Sequence, residues 1–251
     1  MAGQGERFAE KGYKDIKPLI KVGDKPIIEY ITEMFPGETN FLFICNQEHL
    51  DSTTLGKTLH KLMPKGRVVG ISGHQHGPVW SVLAAMTYIN DEEPAIVNYC
   101  DFNCIWDYEN FKRTVVDKDC HGAIACYRGF HPHLLGPNLY ASCRVDASNY
   151  LQEIREKYSF SENKMHTYQS SGTYYFKRGD LIKKYFQALV NQDINVNKEY
   201  YVSLVYNLML KDNLQTYIYE IDKFCQWGTP QDLEEFLYWL DYFKKSYEKH
   251  S

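Results

Sequence analysis

Four short apolar runs punctuate the first half of the chain, at residues 40–45 (NFLFIC), 68–71, 95–99 and 122–127, and apolar residues at helical spacing fill the stretches between them. Runs this short and this uniformly apolar predict strands covered on both faces. Strands alternating with helices predict a doubly wound, mostly parallel α/β sheet. Over 25–35, Ile27, Ile28, Ile31 and Met34 share one helical face before Pro36 and Gly37 stop it. Leu55, Leu59 and Leu62 repeat that spacing ahead of a break at 64–66. Val79, Val82, Leu83 and Met86 predict the inner face of a helix over 78–89, and a further helix is expected over 108–116.

From about His131 the pattern changes. Gly136-Pro137-Asn138 marks a turn, and 139–145 with 150–154 reads as paired strands, an antiparallel half inserted into the sheet. A strand at 172–176, helices at 180–190 and 200–210, and a strand-like stretch at 215–221 follow. Thr229-Pro230-Gln231-Asp232 carries the marks of a helix start, with Thr229 as cap, Pro230 in the first position and Asp232 closing a capping box. The expected organisation is one domain over 1–251, with halves at 1–128 and 129–251.

Net charge is −4 and no basic block occurs, which argues against nucleic acid or a membrane surface as partner. The seven cysteines are scattered and sit mostly in apolar runs, where a reduced thiol behaves as a small hydrophobe; a reducing cytoplasm is the expected location. Neither a signal peptide nor an apolar run long enough for a bilayer is recognisable.

An overall acidic chain that handles an anion must meet it locally, and the first thirty residues are built to do so. Gly3 and Gly5 bracket Gln4, a turn in which successive amides can converge on phosphate oxygens. Arg7 adds a permanently charged fork and Lys17 a point charge on a long stem. Two commoner phosphate loops fail on the letters. A dinucleotide fingerprint wants glycine where Phe8 stands, and a phosphate loop ending in Gly56-Lys57-Thr58 wants glycine where Asp51 stands.

The run Ala2-Gly3-Gln4-Gly5-Glu6-Arg7, then Lys17-Pro18-Leu19, then Val22 and Lys25-Pro26, resembles the signature of the sugar-phosphate nucleotidylyltransferases. The resemblance implies a Rossmann-like sheet of the glycosyltransferase-A type, with 1–128 holding nucleotide and 129–251 the acceptor. It implies that Ala2, Gly3, Gln4, Gly5 and Arg7 hold the triphosphate and that Lys17 offsets charge in the transition state. Gln75 and Gly77, followed by Pro78, occupy the place of a base-contacting stretch, and an amide side chain there can read a base edge. His74 and His76 in the same loop have metal-ligand spacing but no third ligand nearby, and read as loop histidines.

Asp101, just past the strand at 95–99, fits the place of the family's Mg²⁺-binding aspartate. The second aspartate of the pattern is missing: Gln226, an uncharged amide, stands before Gly228-Thr229 as the weaker candidate ligand. Glu156-Lys157 resembles an acceptor-gripping pair, Gly172 lies in a pocket-lining strand, and Glu199 joins them. The family also places a buried strand directly before the glycine loop. The expectation is that residues precede Met1, because a gap in mid-sheet leaves both neighbours' backbone groups unpaired.

The activity implied is transfer of a nucleotidyl group from an NTP, CTP or UTP favoured, to a sugar 1-phosphate or similar small phosphate, with Mg²⁺ and release of pyrophosphate, for capsule or surface polysaccharide precursors; a homo-oligomer is compatible with it. Two rivals remain on the letters alone. A glycosyltransferase of the same architecture has Asp101-Phe102-Asn103 as a loose metal motif, and a nucleotide-sensing domain without turnover would keep the cradle.

Overall fold

A computed structural model describes Met1 and residues 6–248. The first part of the chain runs through α1 (Glu6–Glu10), a 3-10 turn at Lys17–Leu19, β1 (Lys21–Val22) paired with β2 (Lys25–Pro26), α2 (Ile27–Glu33), β3 (Leu42–Asn46), α3 (Gln47–Ser52), α4 (Leu55–Leu62), β4 (Arg67–Ile71), α5 (Pro78–Ala84) and β5 (Ala95–Asn98). Then come β6 (Phe102–Ile105), α6 (Tyr108–Asp117), β7 (Gly122–Tyr127), β8 (Ser142–Val145), β9 (Leu151–Arg155), β10 (Tyr168–Phe176), α7 (Gly179–Asn191), α8 (Val202–Lys211), β11 (Thr216–Glu220), β12 (Lys223–Gln226) and α9 (Pro230–Glu248). All four apolar runs of the first half are strands.

The principal sheet has the order β11-β7-β10-β8-β9, with β5 also on β10. β7 is its spine. It runs parallel to β11 and antiparallel to β10, all six of its residues are buried, and they alternate between two cores. Ala123, Ala125 and Tyr127 face a cluster with Ile27, Phe102, Phe111 and Trp227, while Ile124 and Cys126 face one with Val79, Phe176, Phe186 and Val205. That two-residue alternation is what a strand between two helical layers requires.

The fold is the expected α/β, Rossmann-like one, with a mixed balance of pairing. Parallel pairs are β3 with β4 and β7 with β11; β10 joins β7, β5 and β8 antiparallel. β10 does this by changing partners along its length. Its first residues, Tyr168 and Gln169, pair with β8, its last four pair with β5, and a bulge between Ser170 and Thr173 marks the change. Gly172 sits in that bulge at φ +103, where a Cβ would lie 3.0 Å from Phe102 and 3.1 Å from Tyr99, so only glycine fits without displacement.

Two departures are local. α5 ends at Ala84, and Met86 falls in a 3-10 turn, 37% exposed instead of inward, because the amides of Ala85 and Tyr88 bond three residues back and tighten the chain. The antiparallel pair β6–β12 is not evident from sequence, since four-residue strands carrying Asn103 and Gln226 lack a clean apolar pattern. At the start of α9 the Thr229 hydroxyl accepts the Asp232 amide at 3.2 Å, as a cap should. The Asp232 carboxylate takes the Thr229 hydroxyl (2.7 Å). The seven cysteines are free, and among the described residues no helix is long and apolar enough to cross a membrane.

Candidate active site

Lys17 opens the 3-10 turn, and Pro18 behind it is buried and fixes the backbone where the turn needs it. From there the Lys17 ammonium spans 84 residues of sequence to donate to Asp101 Oδ2 at 3.0 Å, and it also donates to the Gly228 carbonyl at 2.8 Å. Asp101 follows β5 by three residues. Its backbone carbonyl accepts the Trp227 amide at 3.0 Å, and the β6–β12 ladder continues that registration, so Gly228 is held beside it. A Cβ on Gly228 would lie 3.6 Å from Asp101 Oδ2. Three separate segments therefore meet at one cation. The pair is half-exposed and contributes little to stability; its use is to place two opposite charges at the edge of a cavity.

That cavity, of about 1630 Å³, is lined by Arg7, Lys17, Gln75, Gly77, Asp101, Glu156, Lys157, Gly172 and Glu199, nine of the residues singled out in the sequence. Arg7 lies on α1, exposed, and close enough to Tyr201 to act on its hydroxyl electrostatically. Ala2, Gly3, Gln4 and Gly5 lie outside the described residues.

Gln75 and Gly77 belong to the loop that leads into α5. Gly77 takes φ +85, and a Cβ there would sit 2.8 Å from the Tyr200 nitrogen and 2.9 Å from its oxygen. The glycine thus serves a backbone contact: the Tyr200 amide donates to the His76 carbonyl at 2.9 Å, and the Val79 amide to the Tyr200 carbonyl at 3.1 Å. The loop is pinned to the segment that carries Glu199. In the same loop His74 Nδ1 accepts the His76 amide at 3.2 Å and Nε2 stands 3.0 Å from the Ser81 hydroxyl, so both ring nitrogens are engaged within the protein. Burial, with His76 beside it, lowers the His74 pKa.

Glu156, half-buried and lining the same cavity, accepts the Ser203 hydroxyl. Burial pushes its carboxyl up to about 7, against the lowering effect of Ser203 and Lys157, and Glu199 adds to the rise. Lys157 takes φ +51, an uncommon conformation for a side chain, held by its amide on the Tyr140 carbonyl at 3.1 Å; its ammonium lies 5.5 Å from the Tyr201 ring centre. Glu199 accepts the Tyr201 hydroxyl. Two carboxylates, one ammonium and two tyrosines thus form a polar wall of the cavity that the Lys17–Asp101 pair also lines.

Gln226 stands apart from that wall. Its amide donates to Asp232 Oδ1 at 2.5 Å, and among the described residues it is Asp232, with Gly228 and Thr229, that reaches the cavity. Sequence reasoning passed over the Gly228 carbonyl, Asp232, Tyr140 and Tyr201 as site residues. The Gly228-Thr229 pair was the one signal available, because its match to the resembled pattern places that turn at the site. No cluster of three His, Cys, Asp or Glu side chains able to hold a metal occurs among the described residues; a divalent ion at the cavity's edge would have to draw on a lone carboxylate such as Asp101, with substrate oxygens and water for the rest. An oxygen-only, incomplete shell of that kind suits Mg²⁺, which keeps several waters and shares phosphate oxygens.

No family model matches the chain, and no curated protein matches it in sequence. Solved structures do. A nucleoside-diphosphate-sugar pyrophosphorylase from Vibrio cholerae RC9 superposes with TM-score 0.76 at 17% identity, covering 94% of this chain and 97% of that one. An inositol-1-phosphate CTP transferase from T. maritima gives TM-score 0.71 at 14% identity, with 94% and 91% covered. A UDP-glucose pyrophosphorylase complexed with UDP-glucose gives 0.72 at 18%, with 97% and 96% covered. At these identities the likeness establishes the fold, over essentially the whole chain.

Proposed function

We propose that this chain is a nucleotidylyltransferase that moves a nucleoside monophosphate from an NTP, CTP or UTP favoured, to a sugar 1-phosphate or similar small phosphate, supplying activated precursors for a capsule or surface polysaccharide. The observation that carries the reading is the convergence of Lys17, Asp101 and the Gly228 carbonyl at the edge of the cavity that Arg7 and Gln75 also line. The structures with the same fold include proteins named for this chemistry with CTP and with UDP-glucose.

In this reading an oxygen of the acceptor phosphate attacks the α-phosphorus in line, the bond between α-phosphorus and the bridging oxygen breaks, and pyrophosphate leaves with the electron pair. No proton has to move and no covalent enzyme intermediate is needed. The protein's work is positioning and charge neutralisation. Arg7 and Lys17 flank the triphosphate with fixed charge. Gln75 offers donor and acceptor to the base, Glu156 and Glu199 take acceptor hydroxyls, and Lys157 meets the acceptor phosphate. A Mg²⁺ held by Asp101 supplies further charge neutralisation at the phosphates when bound.

A panel of four NTPs against sugar 1-phosphates and small phosphorylated alcohols, read by pyrophosphate release, tests the reading. Release with one pair, lost in Lys17→Met and Arg7→Ala, supports it. Transfer from a nucleotide sugar without pyrophosphate indicates a glycosyltransferase, and tight NTP binding without turnover indicates a sensing domain.

A further inference from the structure

The helix α9 divides in two. Its first turns pack inward: Leu233 is fully buried, and Phe236 and Leu237 rest on the core that holds Trp227, whose ring centre lies 5.4 Å from that of Phe236. Beyond Leu237 burial stops, and seven of the eight residues over 238–245 are exposed. Four of those are large aromatics, Tyr238, Trp239, Tyr242 and Phe243, between 45% and 63% exposed. They form one patch, because the Trp239 ring meets the other three at centre-to-centre distances of 5.4, 5.6 and 5.9 Å. Their spacing sets all four along one side of the helix.

Four half-exposed rings offer on the order of 400 Å² of largely apolar surface. That matches the largest apolar patch of a typical monomer and is about half of the ~800 Å² that one side of a stable protein–protein interface buries. Helices of this length draw most of their stability from packing, and the charges around the patch say what packs on it. Glu234 and Glu235 precede the aromatics, and Lys244 and Lys245 follow them. Antiparallel pairing with a second α9, about an axis between Trp239 and Tyr242, lays rings on rings and brings Glu235 of each copy toward Lys245 of the other. Parallel pairing sets like charges side by side. Within its own helix Lys245 donates to Asp241 at 2.6 Å, an exposed pair that a second carboxylate can share. A lipid surface fits less well, because it selects a helix rich in Lys and Arg, and over 234–245 three acidic residues outnumber two lysines.

We propose that the aromatic face of α9 is a homodimer interface, packed antiparallel on the same face of a second copy across a two-fold axis, with Glu235 and Lys245 forming interchain pairs at both ends. A self-complementary patch of this kind closes on itself, so association stops at two copies. The same helix begins beside Gly228 and Thr229 and carries Asp232, all of which line the cavity, so the dimer contact and the edge of the site share one element. The inference does not depend on the reaction catalysed.

The test is sedimentation velocity and light scattering of the whole chain from about 1 to 100 μM. The expected result is a dimer of the parent. Trp239→Glu puts a charge in the middle of the patch and should raise the dimer Kd at least ~100-fold while leaving the circular dichroism spectrum unchanged. Glu235→Lys should raise it about tenfold, and adding Lys245→Glu to the same chain should restore it, a rescue that a role within one copy does not give. Should Trp239→Glu fail to fold, this charge reversal decides the matter. A parent that stays monomeric throughout the range overturns the proposal, and so does a dimer that a folded Trp239→Glu or Glu235→Lys leaves at full strength. A monomeric parent that binds phosphatidylcholine–phosphatidylserine vesicles, with binding lost in Trp239→Glu, assigns the patch to a lipid surface and overturns it equally.

Discussion

β5 and β7 are the same kind of strand by composition, Ala-Ile-Val-Asn against Gly-Ala-Ile-Ala-Cys-Tyr, yet every residue of β7 is buried and every residue of β5 is half-exposed. The difference lies in their neighbours. Among the described strands β7 has β10 on one side and β11 on the other, while β5 pairs with β10 alone. Burial in a two-layered sheet thus depends on the edges as much as on the faces. β7 supplies stability, whereas the polar cluster gathers just past β5, where Asp101 meets Lys17.

The largest effect expected from this division is on rate. Asp101→Asn keeps the shape of the side chain and removes its charge, and should reduce turnover by about 10³-fold. Its Tm should stay within a few degrees of the parent, because the pair it breaks is half-exposed. Measuring steady-state rate and Tm on one preparation checks both; a large Tm loss with a modest rate loss would show that the end of β5 serves folding.

The reverse holds on β7. Ile124 is fully buried in the core cluster that also holds Phe186, Val205 and Tyr206, so Ile124→Ala should cost ~4 kcal/mol in denaturant unfolding. Ile96→Ala, a chemically identical deletion on β5, should cost about half of that, since its side chain has already kept contact with solvent. Equal costs would mean that β5 is as enclosed in solution as β7.

The contrast also explains what could be read in advance. Four- to six-residue apolar runs fix strands because no helix that short can cross a core, and β7 and β5 look alike for that reason. The sequence is silent on which of them has two neighbours, since pairing is set by segments far apart along the chain. Lys17 and Asp101 are 84 residues apart; their meeting was legible through a resemblance and not through local spacing. Gly77 shows the opposite limit: it lines the cavity and also packs closely on the Tyr200 backbone, and no local pattern announces the second contact. Gln226 is a similar case: its amide nitrogen donates to Asp232, six residues on, a partner that no local pattern announces.

A smaller effect comes from a carboxylate on the cavity wall. Glu156 accepts Ser203 under α8 and is raised by burial to about 7 from an ordinary 4.5. Between those values the folded chain holds a proton that the unfolded chain has released, so stability should fall as pH rises from about 4.5 to 7 and level off above, by at most ~3 kcal/mol. Glu156→Gln should flatten that part of the profile, measured by urea unfolding at pH 5, 6 and 7 (about one-unit steps). A profile unchanged by the substitution would assign the slope to other groups.

The smallest expected change sits where β10 passes from one environment to the other. Gly172→Ala places a methyl 3.0 Å from Phe102 and 3.1 Å from Tyr99 at φ +103, a combination that should cost ~2 kcal/mol. Because Tyr99 precedes Asp101 by two residues and its hydroxyl accepts the Val202 amide at 3.3 Å, the strain should pass to the end of β5 before it reaches β7. Exchange of the β5 amides should therefore accelerate more than exchange of the β7 amides in the same variant. Uniform acceleration would show that β10 couples the two strands rigidly, and β5 would then have no motion independent of β7.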